Sequence, residues 1–183
     1  MPEYSDFIDR VLGQTKLLHK LCPKEPLDLD LVRRIREADD AALGGSEAEL
    51  GGLAVIRAGL FYAVDALDPA HRIFQDEKSN LGSYWHGMMH RREADFDNAR
   101  YWFRRSGRLP FFDRLHRQAA AHSAVMARQS SWDPYLFTGE CEQERFGADE
   151  KTEELRKLQR AEFDVIFEYT WRRELGGKGA EKP

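Results

Sequence analysis

The stretch Leu53-Ala54-Val55-Ile56-Arg57-Ala58-Gly59-Leu60-Phe61-Tyr62-Ala63-Val64-Asp65-Ala66-Leu67 decides the fold. Wound at 100° per residue, its apolar side chains cover nearly every side of a helix, interrupted only by Arg57 and Asp65. A helix apolar all round must be enclosed by others, and Gly59 with the alanines lets neighbours come close. The run is too short and too interrupted to span a bilayer. Ser46-Glu47-Ala48-Glu49, just ahead, has the spacing of a capping box. On either side period 3.6 recurs and period 2 is almost absent. The chain therefore reads as all-α, one compact irregular bundle of about seven or eight helices packed around 53–67.

Moving outward, Ser5 caps a first helix to about residue 21, which the prolines of Cys22-Pro23-Lys24-Glu25-Pro26 end. A second helix starts at Asp28 or Asp30 and stops at Gly44-Gly45. Asp68-Pro69 pairs an N-cap with a proline at the first helical position, a signal repeated at Asp133-Pro134. A helical hairpin follows, 83–94 and 98–106, with its turn at Asp95-Phe96-Asp97. Gly107 stops it, and Pro110 opens a helix to about residue 128. The last helix covers about 150–175, and 176–183 is a flexible tail. No linker divides the 183 residues.

Composition excludes several classes. Hydrophobic residues make up 42% and charged residues 33%, which fits a packed globule and not a disordered chain. The net charge of −4 argues against nucleic acid as a partner. The N-terminus lacks a signal peptide's basic start and apolar run. Two cysteines, Cys22 and Cys141, support neither a disulfide framework nor a cysteine-built zinc site. The expectation is a cytoplasmic protein that binds neither membrane nor nucleic acid. No phosphate-binding glycine loop or nucleophile elbow occurs.

The chemistry gathers in residues 85–105, Trp-His-Gly-Met-Met-His-Arg-Arg-Glu-Ala-Asp-Phe-Asp-Asn-Ala-Arg-Tyr-Trp-Phe-Arg-Arg. His86, His90 and Glu93 fall in one narrow sector of the first helix. Asn98, Trp102 and Arg105 share a stripe of the second. Gly87 and Ala94 should face Ala99 and Phe103, so that the hairpin packs through small and apolar groups. One turn of helix can present two imidazoles at i, i+4 to a metal, although Gly87 stands where a metalloprotease motif keeps its glutamate. His71, with Asp68 and Gln75 one turn to either side, could complete a site. Arg92 lies on the Trp85 side and is the arginine expected to turn inward onto a carboxylate or phosphate. Arg91, Arg100 and Arg104 are expected to face water.

The hairpin resembles a single tetratricopeptide unit, with Gly87, Ala99, Phe103 and a closing proline in their places, but no second copy follows. More widely, Asp68-x-x-His71-x-x-x-Gln75 and the 83–105 run resemble a signature of hypothetical proteins in bacteria and fungi. That resemblance implies no activity. Leu109-Pro110 differs from the His-Pro associated with its last position.

Three functions remain open. The first is a pocket for a small, anionic molecule, with Asp68, His71, Gln75, His86, His90, Arg92, Glu93, Asn98 and Arg105 as polar groups and Trp85 and Trp102 as apolar walls. The second is a metal-dependent or acid–base enzyme, with a divalent metal on His86, His90 and His71 and Glu93 as the carboxylate. The third is a helical adaptor that holds a partner peptide. The excess of guanidiniums over unshared carboxylates tilts the choice toward the anion. The sequence sets no oligomeric state.

Overall fold

The computed structural model describes residues 4–14, 16–44 and 50–174. Among them are eleven helices and no strand. They are α1 (Asp6–Leu12), α2 (Leu29–Glu37), α3 (Asp40–Leu43), α4 (Leu50–Ala63), α5 (Leu67–Phe74) and α6 (Asn80–Arg92). The others are α7 (Phe96–Ser106), α8 (Phe112–Ala120), α9 (Ala124–Ala127), α10 (Pro134–Gln143) and α11 (Glu150–Glu174). None of the described helices is long and apolar enough to cross a membrane. The expected capping box at 46–49 and the tail 176–183 lie outside the described residues.

There are more helices than the seven or eight expected because several long runs break where side chains from elsewhere take over the backbone. Ser5 caps α1, but Gly13 ends it, and the buried Leu18 then turns left-handed at φ 56°. The side-chain amide of Gln159 donates to the carbonyls of Leu18 and Lys20, holding this stretch without helix. Asp28 caps α2, which ends at Glu37 because the Arg57 guanidinium takes the carbonyls of Ile35, Arg36 and Ala38. Asp39 then caps α3. The run expected to continue from Pro110 also breaks, with Ser123 capping the short α9. Asp133-Pro134 caps α10 as expected.

The 53–67 run is also two helices. α4 stops at Ala63, where Ala66 N–H donates to Phe61 O and Asp65 N–H to Tyr62 O. With Asp65 at φ 62°, this is the Schellman closure, made by a residue other than the usual glycine. α5 therefore begins at Leu67, and Asp68 is a first-turn residue and not the N-cap. α6 closes identically, through Asp95 N–H to His90 O, Ala94 N–H to Arg91 O, and Ala94 at φ 62°.

α4 is enclosed as expected, but α6 is more so: every residue from Leu81 to Arg92 is buried. It packs against α5 and, most extensively, α7. A Cβ on Gly87 would stand 2.8 Å from the Phe103 ring, so the glycine sets how close the hairpin helices lie. Overpacking of this kind costs about 1–3 kcal/mol, more than the ~1 kcal/mol that alanine gains over glycine in a helix. Gly87→Ala should therefore lower the urea midpoint, and a raised midpoint would contradict the close approach.

The enclosure of α6 explains its polar side chains. Arg91, expected in water, is fully buried and paired with Glu162 of α11, at 3.2 Å for Nη1 to Oε1. Tyr84 donates to the same carboxylate (2.8 Å) and accepts from Trp132 Nε1 (2.6 Å). Arg92 turns inward as expected. It pairs with Asp65 and donates to Tyr62 O (2.7 Å) and Lys20 O (3.1 Å). One guanidinium thus covers the C-terminal end of α4 and holds the left-handed residue from which α5 departs.

Candidate functional site

α5 and α6 bring three imidazoles together. His71 Nε2 and His86 Nε2 are 3.1 Å apart. The His71 ring lies with its centroid 4.9 Å from those of both His86 and His90, and the latter two stack at 4.7 Å. One ring nitrogen of each lies within 4.8 Å of the other two. Glu93, at the C-terminal end of α6, reaches two of the rings: His71 Nδ1 at 3.2 Å through Oε1 and His90 Nδ1 at 3.3 Å through Oε2. Asp95 Oδ2 lies 3.7 Å from the same His90 nitrogen. The Trp102 ring, from α7, stacks on His86 at 4.0 Å.

Local structure dictates this grouping. The i, i+4 spacing stacks His86 on His90, and the Schellman turn after α6 places Glu93 and Asp95 beside His90. His71 arrives through the α4–α5 turn that Arg92 holds.

The cluster is not hydrogen-bonded to completion. Glu93 Oε1 accepts from His71 Nδ1–H, which leaves His71 Nε2 as a lone pair for His86 Nε2–H. His86 Nδ1 is then buried without a hydrogen bond, and His90 Nδ1 is buried beside the Glu93 and Asp95 carboxylates.

Electrostatics disfavour a proton on His86. Burial, then the charges of His90 and His71, push His86 down to about 4. Burial pushes Glu93 up, but its contacts with His90 and His71 outweigh that and hold it below the ordinary carboxylate range. Between pH 6.5 and about 4 an unfolded His86 takes a proton that the folded one refuses. The stability this contributes is complete above pH 6.5 and is lost as the pH falls toward 4. The melting temperature of metal-free protein should drop across that window, and less steeply in His86→Asn. Equal slopes would contradict the assignment.

The other expected site residues fall elsewhere. Asp68 and Gln75 are exposed on α5, outside the nitrogen cluster. Trp85 is buried on the far side of α6, stacked on Phe74 at 5.1 Å, with its Nε1 donating to Thr170 Oγ1. It belongs to the core. Arg92 is committed to Asp65 and offers nothing to a ligand. Asn98 is exposed and donates to Asp95 Oδ2 at 3.0 Å. Arg105 is exposed, its guanidinium 5.3 Å over the Trp102 ring. Sequence reasoning missed the Asp65 clamp and Asp95 as a neighbour of His90. A cleft of about 370 Å3 lined by Arg108, Phe112, Trp132 and Tyr135, among others, holds none of the expected residues.

Comparison of the chain with protein-family models, with curated proteins and with solved structures gave no match.

Proposed function

We propose that the chain binds one divalent transition-metal ion through His71, His86 and His90 and is a metal-dependent enzyme. The observation that carries this is the single carboxylate of Glu93, hydrogen-bonded to His71 Nδ1 and 3.3 Å from His90 Nδ1, with one nitrogen of each ring gathered within 4.8 Å. A carboxylate behind a ligating imidazole fixes its tautomer and raises its basicity, the usual outer support of a metal site. Neutral imidazoles suit zinc, iron, copper or nickel. Three protein ligands leave a position for water, whose ionisation the metal promotes. Binding would move the N–H of His86 from Nε2 to its unbonded Nδ1, turning Nε2 to the ion.

The arginines favour the metal over a simple anion pocket. Arg91 and Arg92 have buried carboxylates of their own, so neither guanidinium is free to hold an anion. A peptide adaptor finds less support, since His86 and His90 are buried. The tetratricopeptide-like packing of the hairpin is in this reading a local device that backs the site, and the cytoplasm remains its proposed location.

Zinc titrated into chelator-treated protein by calorimetry tests the proposal. One equivalent should bind, and Glu93→Gln should weaken it about 10–100-fold without unfolding the chain, the range for loss of such support. Absence of binding, or binding indifferent to Glu93→Gln, would refute it.

A further inference from the structure

We infer that the metal centre takes a small dicarboxylate, with one carboxylate on the ion and the other on Arg105, its carbon chain passing the edge of Trp102. This rests on the metal reading and adds the class of substrate to it.

Three neutral imidazoles leave the ion's charge undiminished. The two carboxylates nearby, Glu93 and Asp95, lie at the Nδ1 atoms of His71 and His90, behind the rings. Asp95 is also held by Asn98, through the backbone N–H to Oδ1 and the side-chain amide to Oδ2. No carboxylate among the described residues belongs to the group of nitrogens that would hold the ion. An open position on such an ion favours an anionic ligand.

The row His86–Trp102–Arg105 points to the same kind of ligand. The indole stacks on the imidazole at 4.0 Å, and the guanidinium lies over the indole at 5.3 Å. Arg91, Arg92 and Arg100 all have carboxylate partners, Arg100 in Asp97 and Glu142. Arg105 forms no ion pair with any described residue, although it lies beside the one indole that touches the cluster. Its planar fork fits a carboxylate with two parallel hydrogen bonds. The width of Trp102 separates the two positive points, so a monocarboxylate can use only one of them. A dicarboxylate can use both, its methylenes passing the edge of the indole.

The test uses protein loaded with cobalt(II), whose visible bands report ligands entering the metal shell. Acetate, azide, succinate and glutarate are titrated into the native chain and into Arg105→Gln. Succinate or glutarate should bind at least tenfold more tightly than acetate in the native chain. Arg105→Gln should abolish that advantage while leaving acetate and azide unchanged. Equal affinities for acetate and the dicarboxylates, or an advantage that survives Arg105→Gln, would overturn the inference and leave the metal centre standing. A native chain that develops no cobalt bands would overturn both.

Discussion

Replacing Glu162 with alanine should destabilise the fold by about 3–5 kcal/mol, the cost of leaving one member of a buried ion pair alone. Glu162 is fully buried, and it accepts from both Arg91 and the Tyr84 hydroxyl. Its loss strands a guanidinium that has the Phe137 ring 4.3 Å from its centre and no water to turn to. Attraction to an aromatic face is worth on the order of 1–2 kcal/mol and does not replace a carboxylate. Since domains of this size are stable by about 5–15 kcal/mol, the variant should be close to unfolding at physiological temperature. Arg91→Met combined with Glu162→Leu should recover most of the loss, because apolar pairs of similar volume often match a buried ion pair. Urea midpoints of the three proteins test this. A loss below about 1 kcal/mol for Glu162→Ala would mean that the pair is solvated, contrary to the burial described.

The second large effect concerns the metal. His71→Ala and His86→Ala should each weaken zinc binding by at least about a hundredfold, since a lost ligand costs more than a lost outer carboxylate. The helical circular-dichroism signal should stay close to native, because neither side chain carries helix packing comparable to Trp85 or Arg91. His116→Ala is the control. Its Nε2 approaches Met126 O at 3.2 Å, between α8 and α9, and zinc affinity should not change. Parallel loss of affinity in all three variants would mean nonspecific binding to surface histidines.

What the sequence revealed about the site was what helical periodicity can carry. His86, His90 and Glu93 share a sector because of their spacing alone, and the contact of Gly87 with Phe103 follows from small residues facing large ones. The elements that were not legible depend on distant partners. Arg91 could be paired with several nearby carboxylates on paper, whereas its partner lies 71 residues away on α11. Asp65 closes α4 in a conformation that glycine normally marks, and the guanidinium that holds it comes from 27 residues further on. Ala94 ends α6 in the same way, again without a glycine to announce it. The breaks in the first and second helices likewise follow from bonds made by Gln159 and Arg57. His71 was nominated by its own turn of helix with Asp68 and Gln75, yet it is Glu93, across 22 residues, that it meets.

The most direct test of the metal centre is anomalous X-ray scattering from crystals grown with one equivalent of zinc, measured on both sides of the zinc absorption edge. A single strong peak is expected among the rings of His71, His86 and His90, about 2.0–2.1 Å from one nitrogen of each, the usual zinc–imidazole distance. Zinc located anywhere else on the chain, or no peak between the three rings at full occupancy of added metal, would contradict the account.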